Sequence, residues 1–357
     1  MTALEFSKMN LDEVKKSVKL CMELQLTAFI QGSPGLGKSA LVRDIAEEKN
    51  LKLIDIRLSQ CDLTDLNGLP KTDGKKATFL PFDTFPLEDD PLPEGKDGWL
   101  IFLDELNAAP RSLQCAAYKL ILDRMVGGHY LNPKVSIVAA GNLITDNAVV
   151  NRMSTALRSR MINLRLEPDL DIWLQWALAN GINPNIMAYV KYKPNYLFNF
   201  DPKKDSETYA CPRTWEMLSK LMTRIKLSDL EVYKGLIMGT IGSIGAEFIS
   251  YCRYALSLPN VDEVAAGKIV PPKNQDAGVS WMVLFHLLQY VPKTAGEKEL
   301  NNIFKYIDLM GKEYTAMAIK MLMDAPDTRK LVLGLDCVHE NLKSFESNGM
   351  DKDKKKK

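Results

Sequence analysis

"QGSPGLGKSALVRD", residues 31–44, follows directly on the apolar stretch "LTAFI" (26–30). Glycines and a proline crowd positions 32 to 37, and Lys38 and Ser39 then open a helical pattern, "KSALVRDIAEE". Flexible residues set between a strand and a helix, and ended by a cation and a hydroxyl, suit a phosphate cradle. Gly32-x-x-x-x-Gly37-Lys38-Ser39 is the P-loop pattern. Gly32, Gly35 and Gly37 are expected in backbone conformations closed to other residues. The run Gly32, Ser33, Pro34, Gly35, Leu36, Gly37, Lys38 and Ser39 then forms an anion nest of inward-turned N–H groups. The positive end of the following helix faces the same point. Lys38 is expected on the β- and γ-phosphates of a nucleotide, and the Ser39 hydroxyl on Mg²⁺.

Short apolar runs recur after the loop: "LKLIDIRL" (51–58), "WLIFLDE" (99–105), "VSIVAAGN" (135–142) and "MINLRLE" (161–167). Their length suits strands buried on both faces. Helical patterns over 38–49, 112–124 and 149–158 separate several of them, so the first half reads as a mostly parallel α/β sheet. The stretch 61–98 reads as a long excursion with little regular structure. Past Glu167 the pattern turns helical, with runs at 170–181, 214–226, 229–256, 280–291 and 302–324. Residues 191–212 read as a linker or loop, and the end, "DKDKKKK", as a solvated charge run.

In an open parallel sheet, ligands sit beyond the carboxyl ends of the strands. Asp104 and Glu105 follow "WLIFL", in the form of a Walker B motif. Asp104 is expected to hold Mg²⁺ and Glu105 to orient or deprotonate an attacking water. Asn142 follows "VSIVAAG" and could fix that water or touch the γ-phosphate. Arg158 and Arg160 precede the last strand, where either guanidinium could stabilise transition-state charge, commonly in a neighbouring subunit. Arg213 opens a helix, "CPRTWEML", where a cation opposes the helix dipole and so hints at an anionic partner.

Composition limits the alternatives. The chain has 357 residues, Lys+Arg 46 against Asp+Glu 45, and a net charge of +1, so no global field recruits nucleic acid or anionic lipid. Its 46% hydrophobic content is that of an ordinary globular protein of about two domains. The six cysteines form no C-x-x-C pair, which fits reduced thiols in a cytoplasm rather than zinc or a disulfide framework. No signal peptide or membrane span is expected. His129, His286 and His339 lack metal-ligand spacing. Trp173 with Trp176, and Met317, Met321 and Met323, read as helix packing.

"GSPGLGKS", "FLDELNAAP", "VAAGN", "ALRSR" and "CPRTWE", in that order, resemble the AAA+ superfamily and within it the MoxR-like or dynein-related ATPases. The resemblance covers about residues 8–225. It implies a P-loop NTPase αβα sandwich with a mainly parallel five-stranded sheet (1–168). An all-helical lid and C-terminal helical extension (169–350) and a disordered basic tail (351–357) complete the expected chain. It further implies that Asn142 acts as sensor 1, Arg160 as an arginine finger working in trans with Arg158 as its rival, and Arg213 as sensor 2. Ser159 stands where that family usually has an acidic residue before the finger. The hairpin Gly127–Lys134 resembles the one before sensor 1 that faces a central pore. The expected activity is hydrolysis of ATP with Mg²⁺ between subunits of a homo-oligomeric, hexameric ring. The ring would remodel a protein client such as a von Willebrand factor A domain protein. A ring motor acting on nucleic acid and a nucleotide-gated scaffold with little hydrolysis are the alternative readings.

Overall fold

Six parallel strands in the order β1-β10-β2-β9-β6-β3 make the sheet that carries the P-loop. They are β1 (Lys8–Met9), β2 (Ala28–Gln31), β3 (Lys52–Arg57), β6 (Trp99–Asp104), β9 (Val135–Gly141) and β10 (Ile162–Leu166). The computed structural model describes residues 7–72, 74–146, 151, 153–201, 208–294, 296–323 and 326–335. The five expected strands are present. The sixth, β1, is a correction: two residues paired to Arg165 and Leu166 of β10 are too short to show an alternating pattern.

All six residues of β6 are buried, as expected of a central parallel strand. One sheet face carries Ile30, Leu100, Phe102, Val138 and Ala140, and α1 (Leu11–Glu23) and α2 (Lys38–Glu48) pack on the sheet through Val14, Val18, Leu41, Val42 and Ile45. The other face, with Phe29, Ile101, Leu103 and Ile137, meets Leu113, Ala117 and Leu120 of α4 (Arg111–Asp123) in one apolar cluster. The result is an αβα sandwich. Helix α1 starts at a capping box in which the Asn10 side chain accepts from Glu13 N and Glu13 accepts from Asn10 N.

The stretch 61–98 is more regular than its composition suggests. It holds α3 (Leu63–Asn67) and an antiparallel hairpin, β4 (Leu69–Thr72) with β5 (Ala77–Leu80). Every residue of both strands is exposed, so no apolar alternation marked them. The expected hairpin before Asn142 forms as β7 (Met125–Val126) and β8 (His129–Tyr130). Gly127 and Gly128 turn it with φ of 59° and 104°, the left-handed pair of a tight hairpin turn. Of the helical pattern at 149–158, α5 covers Thr155–Arg158; residues 147–150 and 152 lie outside the described residues.

The chain divides at Asp169 into two compact units. The second unit is helical: α6 (Leu170–Ala179), α7 (Pro184–Tyr192), α8 (Pro212–Met222), α9 (Lys234–Ile241), α10 (Gly245–Cys252), α11 (Val261–Ala265), α12 (Ala277–Thr294), α13 (Glu297–Met310), α14 (Lys312–Met323) and α15 (Pro326–Leu333). Two expected long helices are broken, 229–256 at Gly242 (φ 78°) and 302–324 at Gly311 (φ 141°). Helix α7 begins inside no expected helix, yet its residues 185–190 are all buried and its Tyr189 packs on Trp215, Phe248 and Tyr251. Trp173, Met317 and Met321 are core residues, while Trp176 and Met323 pack against the core partly exposed.

Among the described residues, one segment, Lys234–Ser257, is long and apolar enough to cross a membrane by composition. It is divided between α9 and α10, and Ile237, Phe248 and Ile249 from it are buried in the helical core. Cys337, His339 and the terminal charge run lie outside the described residues.

Candidate active site

The P-loop turns sharply where its glycines allow. Gly35 and Gly37 have φ of 84° and 86°, the left-handed region where a Cβ is strained. Gly37 caps α2 in that conformation, and its carbonyl accepts the first helical bond from Leu41 N at 2.9 Å. Gly32 departs from expectation. Its need for glycine is steric: a Cβ there would stand 3.0 Å from the Leu166 carbonyl oxygen and 3.2 Å from the Leu166 Cβ. The loop is thus pressed against the end of β10.

Lys38, 8% exposed, is turned back along the loop. Its Nζ donates to the carbonyls of Gly32 (2.5 Å) and Ser33 (3.0 Å) and to Asn142 Oδ1 (3.2 Å). The last contact joins residues more than a hundred positions apart, because β2 and β9 are neighbours whose carboxyl ends coincide at Gln31 and Gly141. Beside it, Ser39 Oγ donates to Asp104 Oδ2 at 3.1 Å. Asp104 is buried at the last position of β6, and its other oxygen, Oδ1, accepts from Glu105 N at 2.8 Å.

Glu105 itself has φ 56°, a strained conformation for a residue with a Cβ. The turn carries its side chain to the end of β3, where the Ser59 hydroxyl donates to Oε2 and Arg57 Nε lies 3.9 Å from Oε1. Negative charge accumulates here. Burial, and then the Asp104 carboxylate, push the Asp55 carboxyl up from its ordinary range.

Three polar residues that drew no attention in the sequence complete the site. Asn107, 2% exposed, grips the backbone of Asn142: its Nδ2 donates to Asn142 O at 2.7 Å, and its Oδ1 accepts from Asn142 N at 3.1 Å. Ser59 holds Glu105. Asp146 is buried beside Ser33 and Lys38. A polar residue directly after "DEL" was a signal available for Asn107; Ser59 and Asp146 carry none.

Arg158 and Arg160 are exposed. Arg160 donates from Nε to the Tyr118 hydroxyl at 3.1 Å. Its place relative to the P-loop of its own chain follows from strand register. Ile162, which begins β10, lies opposite Ala28, and Arg165 lies opposite Gln31, the residue before the loop. Arg160 therefore stands at the amino end of these parallel strands and the P-loop at the carboxyl end, on the order of 10 Å of strand apart. Arg213 is exposed in the first turn of α8, in the helical unit.

No group of three His, Cys, Asp or Glu side chains poised for a metal occurs among the described residues. The Ser39 hydroxyl and Asp104 carboxylate still suit Mg²⁺, a hard cation that takes few protein oxygens and completes its shell with phosphate and water.

Among solved structures, a point mutant of RuvB from Thermotoga maritima aligns with 18% identity over 68% of this chain and 71% of that one, with a TM-score of 0.39. NtrX from Brucella abortus aligns with 13% identity over 90% and 69%, with a TM-score of 0.40. Midasin of Giardia intestinalis is 40% identical over 95 residues, a stretch that is 26% of this chain and 2% of midasin. Residues 27–161, which hold the P-loop, Asp104, Glu105, Asn142 and Arg160, match the family of AAA domains of the dynein-related subfamily.

Proposed function

We propose that this protein hydrolyses ATP as a MoxR-like AAA+ ATPase, in a ring of copies of itself, hexameric in number, that remodels a protein client. A von Willebrand factor A domain protein is the client class favoured by the sequence resemblance. The observation that carries the reading is the convergence of Lys38, Asn142, Ser39, Asp104 and Glu105 at one sheet edge.

The loop N–H groups and the α2 amino end bind the β- and γ-phosphates, and Lys38 leaves its carbonyl partners to meet them. Ser39 and Asp104 hold Mg²⁺, which neutralises charge on those phosphates when bound. Glu105 accepts a proton from water as the water oxygen bonds to the γ-phosphorus and the bond to the bridging oxygen breaks. Asn142, clamped by Asn107, supplies a fixed amide beside Lys38. The strand register favours Arg160 serving a neighbouring copy, since its own site lies at the opposite end of β10. Cys21, Cys61, Cys115, Cys211 and Cys252 are free thiols, which suits a reducing cytoplasm.

Steady-state ATP turnover of wild type beside Glu105→Gln tests this reading. A drop of roughly 100-fold or more is expected; equal rates point instead to a nucleotide-gated scaffold. Wild-type turnover per chain should also fall on dilution as shared sites come apart.

A further inference from the structure

Asp146 closes the short 3-10 turn Ile144–Asp146, four residues beyond Asn142. It is 8% exposed, and its Oδ2 is buried with no hydrogen-bond partner. Burial pushes its carboxyl up, opposed by the Ser33 hydroxyl, the Leu143 backbone, the Lys38 charge and the Thr145 hydroxyl. Two of those four neighbours belong to the P-loop. A buried, half-satisfied carboxyl is costly to keep, and an amide of the same shape would avoid most of that cost. Its position beside the loop's one cation suggests what it is for.

Lys38 meanwhile donates to the loop's own carbonyls and to Asn142. Phosphate oxygens reaching that ammonium must replace some of these contacts, and they must do so in the field of Asp146. We propose that Asp146 is a positioning residue that serves as an internal anion of the P-loop, competing with the β- and γ-phosphates of a nucleotide for Lys38 and Ser33. The inference rests on the nucleotide-binding reading above. Two routes give one sign. If the carboxylate stays, it repels the phosphates; if it swings away, its attraction to Lys38 is lost on binding. Either way its charge weakens nucleotide affinity and hastens release of the diphosphate.

The experiment is equilibrium binding of ATP, ADP and AMP, at one fixed salt concentration, to wild type, Asp146→Asn, Asp146→Ser and Lys38→Ala. Asp146→Asn keeps the shape and removes the charge. Asp146→Ser removes the charge with a smaller side chain, and stands in should the first variant fail to fold. The expected result is about fivefold or more tighter binding of ATP and ADP in both Asp146 variants, as loss of a nearby unit charge implies. AMP, which has no β-phosphate to meet Lys38, should bind unchanged. ATP affinity that is unchanged or weaker, or AMP tightening equally with ATP, overturns the proposal. Lys38→Ala separates the two readings. If it binds ATP as wild type does, the P-loop reading itself is lost; if it loses ATP while Asp146→Asn matches wild type, only the role of Asp146 is.

Discussion

Arg160 donates from Nε to the hydroxyl of Tyr118 at 3.1 Å, and its Cζ lies 5.6 Å from the centre of that ring. The two residues come from different elements, the turn before β10 and the outer helix α4. An exposed arginine has many rotamers, and a hydroxyl on a helix removes most of them. If Arg160 reaches the γ-phosphate bound to the next copy, Tyr118 decides how often it points there.

Tyr118→Phe removes the hydroxyl and keeps the ring. We expect kcat for ATP to fall about 3- to 10-fold with KM unchanged, against roughly 10³-fold for Arg160→Ala. The check is a double-mutant cycle. Tyr118→Phe placed in the Arg160→Ala background should cost nothing further, because the group it orients is gone. Full additivity would assign Tyr118 to packing alone.

Ser59 governs Glu105 in a comparable way. Its hydroxyl donates to the carboxylate that is proposed to accept the proton. That bond holds the carboxylate against the end of β3, so a water approaching Oε2 must compete with the Ser59 hydroxyl for the same oxygen. Ser59→Ala should therefore raise basal ATP turnover, by about 2- to 5-fold, with nucleotide affinity unchanged. A fall in turnover would mean instead that Ser59 holds Glu105 in its working position.

Which parts of this arrangement the residues announced, and which they did not, has a physical basis. The P-loop and the five longer strands are local signals: glycine spacing in one case, unbroken apolar runs in the other. Asp104 and Glu105 were legible because strand ends in a parallel sheet gather at one edge. Lys8–Met9 is too short to carry a period. The hairpin strands Leu69–Thr72 and Ala77–Leu80 are exposed at every residue, so burial never patterned their sequence. Ser59, Tyr118 and Asp146 make their contacts across the fold, and nothing in their immediate neighbours sets them apart; Asn107 had one cue, its place directly after "DEL". The steric reason for glycine at 32 is hidden from the sequence in the same way, since Leu166 lies on another strand.

The clamp on Asn142 depends on a missing methyl group. A Cβ at Gly141 would collide with Asn107 Oδ1 and stand 2.9 Å from Phe29 Cζ. Gly141→Ala should cost about 1–3 kcal/mol through overpacking and displace the Asn107 amide. Gly37→Ala meets nothing within 4 Å and carries only the strain of φ 86°, about 1 kcal/mol. Urea unfolding of both variants tests the order. ATP turnover adds a second readout, since Gly141→Ala and Asn107→Ala should lower kcat together. A Gly141→Ala protein as stable as Gly37→Ala would remove the steric argument.

In the helical unit, His286 sets a dependence of stability on pH. Burial lowers its pKa from 6.5 to about 4. Its Nε2 lies 3.0 Å from Asn185 Oδ1, an acceptor, so the neutral ring donates there. The unfolded chain takes up a proton near pH 6.5 and the folded chain only near pH 4, so acid favours unfolding. The contribution is complete above about pH 6.5, falls as pH is lowered through the window to about 4, and is flat below. The shift corresponds to about 3 kcal/mol. His286→Gln, which can still donate to Asn185, should flatten unfolding free energy against pH across that window, by urea titration at closely spaced pH values. An undiminished slope in the variant would place the titrating group elsewhere. A slope of opposite sign in wild type would mean that the folded ring carries the charge.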